Sequence, residues 1–311
     1  MTTDIRLSFS GWSTYNQCAH KWKLHYVDRI RPTGDSSPLL FGSAIDEALN
    51  ALLLNPDTDA VKVFQSHFTW DMCKDVTWMD ADLDWDLFTR EQRIKLEEEP
   101  NEYCAWASMR IKGRLMIEAY IREALPRITE VHSVQLETKP RPGFIDAVLT
   151  IDGNHKFIVD HKTTARPYKG DSVTLSPQLA LYAGQTGISR AAFITLVKTI
   201  KKNKVKICTK CGHQATGAHK TCDNLDNGIR CHGTWNVSMD PEAICQVITD
   251  TISKKDQELM SESLDETILL IKSGQFPKNL LSCNKMFGKK CPYFNYCRTK
   301  NMTGLVKKET K

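Results

Sequence analysis

The chain has 311 residues, 41% of them apolar and 25% charged, with 42 Lys and Arg against 37 Asp and Glu for a net charge of +5. A chain of this length and composition is expected to bury a full core as a soluble globular protein, one large domain with insertions rather than two equal domains. It has no apolar run long enough to span a membrane, and its mildly basic balance permits a polyanionic partner without demanding one.

The N-terminal run Met1–Arg6 lacks the apolar region of a secretion signal, so the expected compartment is the cytoplasm. Eleven cysteines in a reducing compartment point to metal sites rather than disulfides. Ser10 is placed to cap a helix in which Trp12, Tyr15, Cys18, Trp22 and Tyr26 recur at three- and four-residue steps, mostly as core. Phe41 to Leu49 continues with an apolar face that carries Asp46 and Glu47. Residues 55 to 126 read mostly as helices. Their acidic runs, Asp80 to Asp86 and Glu97 to Glu99, are expected to be solvated faces. The last of these helices, Tyr103 to Ala124, should pack beside a sheet whose first strand is Val131 to Glu137.

Pro142 to Lys162 has two β-branched, apolar runs around Asp152-Gly153-Asn154, which is a hairpin pattern. Side chains alternate along a strand, so Asp160 and Lys162 point the same way, and Asp146 on the partner strand joins them if the register allows. Carboxylates on apolar strands are costly unless paired or bound to metal. Oxygen ligands select hard cations such as Mg²⁺ or Mn²⁺, which polarise a phosphodiester and lower the pKa of a bound water. A lysine beside them can orient that water or offset phosphate charge. On these three residues alone, a satisfied surface ion pair is the competing reading.

Downstream, Ser176 at the N-cap and Pro177 at the first position open a helix. Gln178 and Tyr182, four apart, share one face of it. Ala191 to Lys198 reads as a further apolar strand. Composition then shifts: Lys198, Lys201, Lys202, Lys204 and Lys206 precede Cys208-x-x-Cys211-Gly, Cys222 and Cys231-His-Gly. Four thiolates bind Zn²⁺ tetrahedrally and can fold a segment too short to own a core. His213 and His219 could replace one cysteine, but such histidines are more often exposed. Flanking alternation at 198–206 and 234–239 places this ribbon on the tip of a β-hairpin. Its lysines either grip phosphates or charge a solvated edge. Cys73, Cys104 and Cys245 look like small buried hydrophobes. The C-terminal segment carries Cys283, Cys291-Pro and Cys297 among Lys285, Lys289, Lys290, Arg298, Lys300, Lys307 and Lys308, and its last ten residues read as a frayed tail.

Gly143-Phe-Ile-Asp146 with Ile158-Val-Asp160-His161-Lys162 resembles the core of the PD-(D/E)XK nucleases, specifically the RecB-type branch. Gln178-x-x-x-Tyr182 is similar to the branch's element that contacts DNA beside the metals. Leu7 to Trp22 and Cys-Pro-x-x-x-x-Cys at 291–297 look like the two ends of its iron–sulfur members. In those, one N-terminal and three C-terminal cysteines hold a [4Fe–4S] cluster. The resemblance implies such a cluster on Cys18, Cys283, Cys291 and Cys297, although the longer gap from Cys283 to Cys291 leaves zinc open. Gly42-x-x-x-Asp46 matches a segment that often ends in a metal-binding histidine. Asp46 departs from it, yet can still ligate Mg²⁺ or Mn²⁺. Glu137 falls at the position of an accessory acid.

The resulting expectation is an α/β protein with a restriction-endonuclease-like mixed β-sheet core flanked by helices, an inserted zinc ribbon and a cysteine-tied C-terminal segment. Its parts would be 1–125, mainly helical; 126–200, the nuclease core; 201–240, the ribbon; and 241–311, the C-terminal helix and cluster segment. The resemblance implies a DNA exonuclease for single strands or duplex ends, in recombination, repair or phage DNA processing, in a bacterial or phage-infected cell and with recombination or replication proteins as possible partners. Asp146 and Asp160 would ligate the ion, with the His161 carbonyl and Asp46 completing the shell. Lys162 would position water, and Gln178 and Tyr182 would align the strand. A non-catalytic DNA-binding factor and a structure-specific endonuclease are the alternatives, and the oligomeric state is left open.

Overall fold

A computed structural model describes residues 5–153, 155–215, 220–226, 229–283 and 290–308; Asn154, His219, Lys285, Lys289 and the side chain of Lys204 lie outside the described residues. The chain opens with α1 (Phe9–Gln17), α2 (Ala19–Trp22), a π-turn (Lys23–Val27) and β1 (Ile30–Pro32). The helices α3 (Ser37–Leu54), α4 (Ala60–His67), α5 (Trp70–Cys73), α6 (Arg90–Leu96) and α7 (Asn101–Glu123) follow. Next come β2 (Ile128–Glu137), β3 (Phe144–Ile151), β4 (His155–Thr164), α8 (Pro177–Thr186) and β5 (Arg190–Cys208). The short strands β6 (Gln214–Ala215), β7 (Leu225–Asp226) and β8 (Ile229–Arg230) lead to β9 (Trp235–Thr251), α9 (Lys254–Lys272), α10 (Phe294–Thr299) and β10 (Leu305–Lys307).

The sheet runs β2-β3-β4-β5-β9, with β6 on the far end of β5. All neighbours are antiparallel except β4 and β5, which α8 connects in parallel. Both faces of the sheet are covered, so the central strands read as unbroken apolar runs instead of alternating ones. Val159, Ala192, Ile194 and Leu196 face the cluster built by α3, α4 and α7. Ile158, Ala191 and Phe193 face the other, where Leu179 of α8 and Met260, Leu264 and Ile268 of α9 pack. Helix α7 lies close on α4 because residue 113 is glycine: a Cβ there would sit 2.2 Å from the Phe64 ring.

Three local expectations need correction. Ser8, not Ser10, caps α1, accepting the Gly11 amide at 3.2 Å, and the aromatic stripe is not one helix, since Cys18 takes an extended backbone between α1 and α2. The acidic run at 80–86 is not simply solvated. Asp82 is 5% exposed and accepts bonds from Ser37 and the Met79 amide, while Lys112 donates to the carbonyls of Ala81 and Asp82 at 2.8 and 3.1 Å. Asp84 and Asp86 each hold Lys202 at 2.9 Å. That contact ties the base of the β5–β9 arm to the helical layer and takes Lys202 out of the set available to phosphates.

The C-terminus is not frayed through Lys308. β10 pairs antiparallel with β1, Leu305 is buried, and the Lys308 amide donates to Arg29 at 3.0 Å. Buried Tyr293 donates its hydroxyl to the Ile30 carbonyl at 3.0 Å, closing a small core with Leu24, Ile30 and Leu305. The two ends of the chain therefore clasp through apolar and backbone contacts of their own.

Candidate active site

The Asp152-Gly153 turn joins β3 to β4 with Ala147 opposite Val159 as the last ladder pair before the strands part. Beyond it the Asp146 carboxylate takes the place of a backbone acceptor, receiving the His161 amide at 2.7 Å. One oxygen or nitrogen each from Asp46, Asp146 and His161 lies within 4.8 Å of the others. Asp46 reaches this point from α3, whose apolar residues Phe41, Ala44, Ile45, Ala48 and Leu49 fix the helix on the core and leave Asp46 half-buried at its edge. Its neighbour Glu47 is exposed. Asp46 Oδ2 accepts from Asn50 Nδ2 at 3.3 Å and Gln135 Nε2 at 3.1 Å.

Asp160 points with Lys162, as strand alternation demands. Its carboxylate is 3% exposed and lies 2.6 Å from Lys162 Nζ. Lys162 also donates to Gln178 Oε1 at 3.2 Å, and Gln178 Nε2 donates to the Tyr182 hydroxyl at 3.3 Å. The cap that sets this helix is as expected: Ser176 Oγ accepts the Leu179 amide at 3.3 Å. The predicted residues thus fall into two adjoining halves, Asp46–Asp146–His161 and Asp160–Lys162–Gln178–Tyr182. Glu137 is exposed at the end of β2.

The electrostatics are those of a site short of positive charge. Burial, then the Asp146 charge, pushes the Asp46 carboxyl up to about 6. Burial also raises Asp146, against the pull of the His161 amide and Lys162. Asp160 is pushed up to about 7 by burial, which outweighs the opposing pull of Lys162. Burial works against charge on Lys162 too, but Asp160 prevails and holds the ammonium above its usual range. Crowded carboxylates of this kind are relieved by a cation.

Besides the carbonyl that the resemblance assigns to the shell, His161 brings its ring to the site. Its Nδ1 is buried with no hydrogen-bond partner among the described residues, and its Nε2 lies 3.5 Å from the Tyr120 hydroxyl. Burial lowers its pKa to about 4, so the ring is neutral. A neutral imidazole with its proton on Nε2 offers the Nδ1 lone pair to a metal. The two carboxylates are the hard oxygen donors that Mg²⁺ and Mn²⁺ take, and an imidazole beside them favours Mn²⁺ of the two.

Sequence reasoning missed Asn50, Gln135, Tyr120 and Tyr168. Asn50 stands one helical turn from Asp46, a spacing open to inspection. Tyr168 packs edge-on against Phe193, and its backbone is gripped on both sides by Gln246 at 3.0 and 3.2 Å. Nothing in the sequence around Gln135 or Tyr120 signals their positions.

At the tip of the arm, Cys208 and Cys231 sulfurs lie 3.5 Å apart and those of Cys211 and Cys222 3.6 Å, all four within 4.8 Å. Tetrahedral Zn²⁺ with bonds of about 2.3 Å requires sulfurs about 3.8 Å apart, so the thiols fit one such ion. Gly212 turns the first knuckle with φ +71°, and a Cβ on Gly233 would lie 2.4 Å from Cys208 Sγ. His213 is exposed, leaning toward Trp235, and is not in the set. Cys18, Cys283, Cys291 and Cys297 line a cavity of about 570 Å³ between the chain ends and do not form so tight a set. Cys73, Cys104 and Cys245 are buried.

The central hairpin of a mixed sheet thus opens onto crowded carboxylates, with a half-buried lysine beside them and a Gln–Tyr helix, an arrangement with the donors of a divalent-metal site. The sequence profile of the PD-(D/E)XK nuclease superfamily matches residues 6–298, nearly the whole length. The chain belongs to that superfamily, and its fold is the restriction-endonuclease-like one. Members are usually nucleases that use Mg²⁺ or Mn²⁺, with DNA as substrate. No curated protein matches the chain. Among the described residues no helix is long and apolar enough to cross a membrane.

Proposed function

We propose that the chain is a RecB-type DNA exonuclease acting on single strands or duplex ends, in recombination, repair or phage DNA processing. The observation that carries this reading is Lys162 Nζ bound at once to Asp160 and to Gln178, beside the Asp46–Asp146–His161 set. Asp46, Asp146 and His161 would hold Mg²⁺ or Mn²⁺, with Asp160 adjoining. The ion supplies polarisation of the phosphodiester and a lowered pKa for a water at the site. Lys162, held by Asp160, orients the attacking water and offsets charge on the phosphate. Gln178, its amide steadied by the hydroxyl of buried Tyr182, presents the polar edge of α8 against which a strand aligns.

In this reading Cys208, Cys211, Cys222 and Cys231 bind zinc at the arm tip, because their sulfurs already have the spacing of a single ion. Cys18, Cys283, Cys291 and Cys297 bind a [4Fe–4S] cluster. Their wider arrangement around a cavity supports this over zinc, since a cube with iron at its corners holds its thiolates further apart than one ion does. Residues 126–200 form the nuclease core, preceded by the helical part at 1–125 and followed by the ribbon at 201–240 and the cluster segment at 241–311. The cytoplasm is the compartment that suits both sets of reduced cysteines.

The test is Mn²⁺-dependent digestion of end-labelled linear single strands, blunt duplexes and circular single strands. Release of short products from linear substrates, with circles intact, is the expected result. Cut circles would replace the exonuclease with an endonuclease. Binding of every substrate without product release would mean a DNA-binding factor with an inactive core.

A further inference from the structure

We infer that Gln135 is a positioning residue for metal binding, and that its unusual backbone exists to aim its amide at Asp46. The inference rests on the reading that Asp46, Asp146 and His161 hold a divalent ion. Gln135 lies inside β2 between Val134, paired with Ala147, and Leu136, paired with Ile145, and so stands across from Asp146. It has φ +51°, in the left-handed region. The other non-glycine residues with positive φ among those described are Arg29, Asp152, His232 and Lys300, which sit in loops, a turn or a helix cap. Among the described residues Gln135 alone holds this conformation within a strand, where the extended form is the favoured one for a residue with a Cβ. Such an outlier persists only where its surroundings impose it, and it tends to mark a working site.

What this conformation secures is a single contact. Gln135 Nε2 donates to Asp46 Oδ2 at 3.1 Å, linking the helix that carries Asp46 to the sheet that carries Asp146 and His161. Asn50 donates to the same oxygen from the other side, at 3.3 Å. Two donors on Oδ2 fix the plane of the carboxylate and leave Oδ1 without a protein donor among the described residues. An oxygen of Asp46 lies within 4.8 Å of ligand atoms of Asp146 and His161, and the buried Nδ1 of His161 has no partner among the described residues. Partners that hold a ligand in place in this way govern metal affinity nearly as strongly as the ligands do.

Calorimetric titration of the full-length protein with Mn²⁺, together with metal-free thermal melts, tests this in wild type, Gln135→Gly, Gln135→Ala and Asp46→Asn. Glycine suits the left-handed backbone but has no amide side chain. Gln135→Gly should therefore melt no lower than wild type yet bind Mn²⁺ about 10- to 100-fold more weakly. Gln135→Ala should weaken binding equally and also melt lower, because it loses the amide contact while, unlike glycine, relieving none of the strain. Undiminished Mn²⁺ affinity in Gln135→Gly overturns the inference, and so does a parallel fall in melting temperature and affinity in that same variant, which would make the contact merely structural. If Asp46→Asn binds Mn²⁺ as wild type does, the metal reading itself fails, separately from the role of Gln135.

Discussion

Asp160→Asn should reduce Mn²⁺-dependent DNA cleavage by on the order of 10³-fold or more while leaving DNA binding intact. Asparagine keeps the size of the side chain and so does not open a hole beside Ile158 and Phe193. What it removes is a charge in a place where charge is hard to replace. The Lys162 side chain is half-buried, and the carboxylate 2.6 Å away holds its ammonium above the usual range. Without that partner burial pulls the pKa down, and the ammonium beside Gln178 loses the contact that aims it. The neighbouring set of Asp46, Asp146 and His161 also loses the closest additional carboxylate. Cleavage of an end-labelled strand and fluorescence anisotropy with the same strand separate the two effects. Equal loss in both assays would mean that Asp160 serves folding.

Cys222→Ser should remove one zinc per chain and melt the arm tip, with the nuclease core still folded. Cys208, Cys222 and Cys231 form their own small buried cluster, Cys211 is exposed beside it, and among the described residues Trp235 is what packs on it, which is too little apolar surface to hold a fold. A structural zinc site of this kind contributes about 10–16 kcal/mol at neutral pH. The core depends on none of it: α3, α7, α8 and α9 close both faces of the sheet, and Lys202 anchors the arm below the ribbon. Metal analysis of anaerobically purified protein should find one zinc and four iron in wild type. Iron should stay and zinc should go in Cys222→Ser, with the reverse in Cys291→Ser. Loss of both metals from either variant would contradict two separate sites.

How far the sequence speaks depends on whether a feature is local. The β3–β4 hairpin is legible because Asp152-Gly153 is a turn signal between β-branched runs. The cap of α8 is legible in Ser176-Pro177, and the ribbon in its cysteine spacing. Strand alternation correctly pairs Asp160 with Lys162. It gives no sign that the strands part beyond Ala147–Val159, and that parting turns Asp146 toward His161 and Asp46. Nor does it show that the residue between Asp160 and Lys162, on the opposite face, brings its ring to the site. Asp82 was hidden because a run of alternating aspartates looks solvated until Ser37 and Lys112, distant in sequence, are seen to meet it. The order of the tail is illegible in sequence for a similar reason: β10 is three residues long and makes sense only beside β1.

The most direct measurement of the central claim is anomalous diffraction from crystals soaked in Mn²⁺. The account predicts a peak in contact with Asp46, Asp146 and Nδ1 of His161, beside Asp160. A Mn²⁺ peak that touches neither Asp46 nor Asp146, or no peak at this cleft at saturating Mn²⁺, would contradict it.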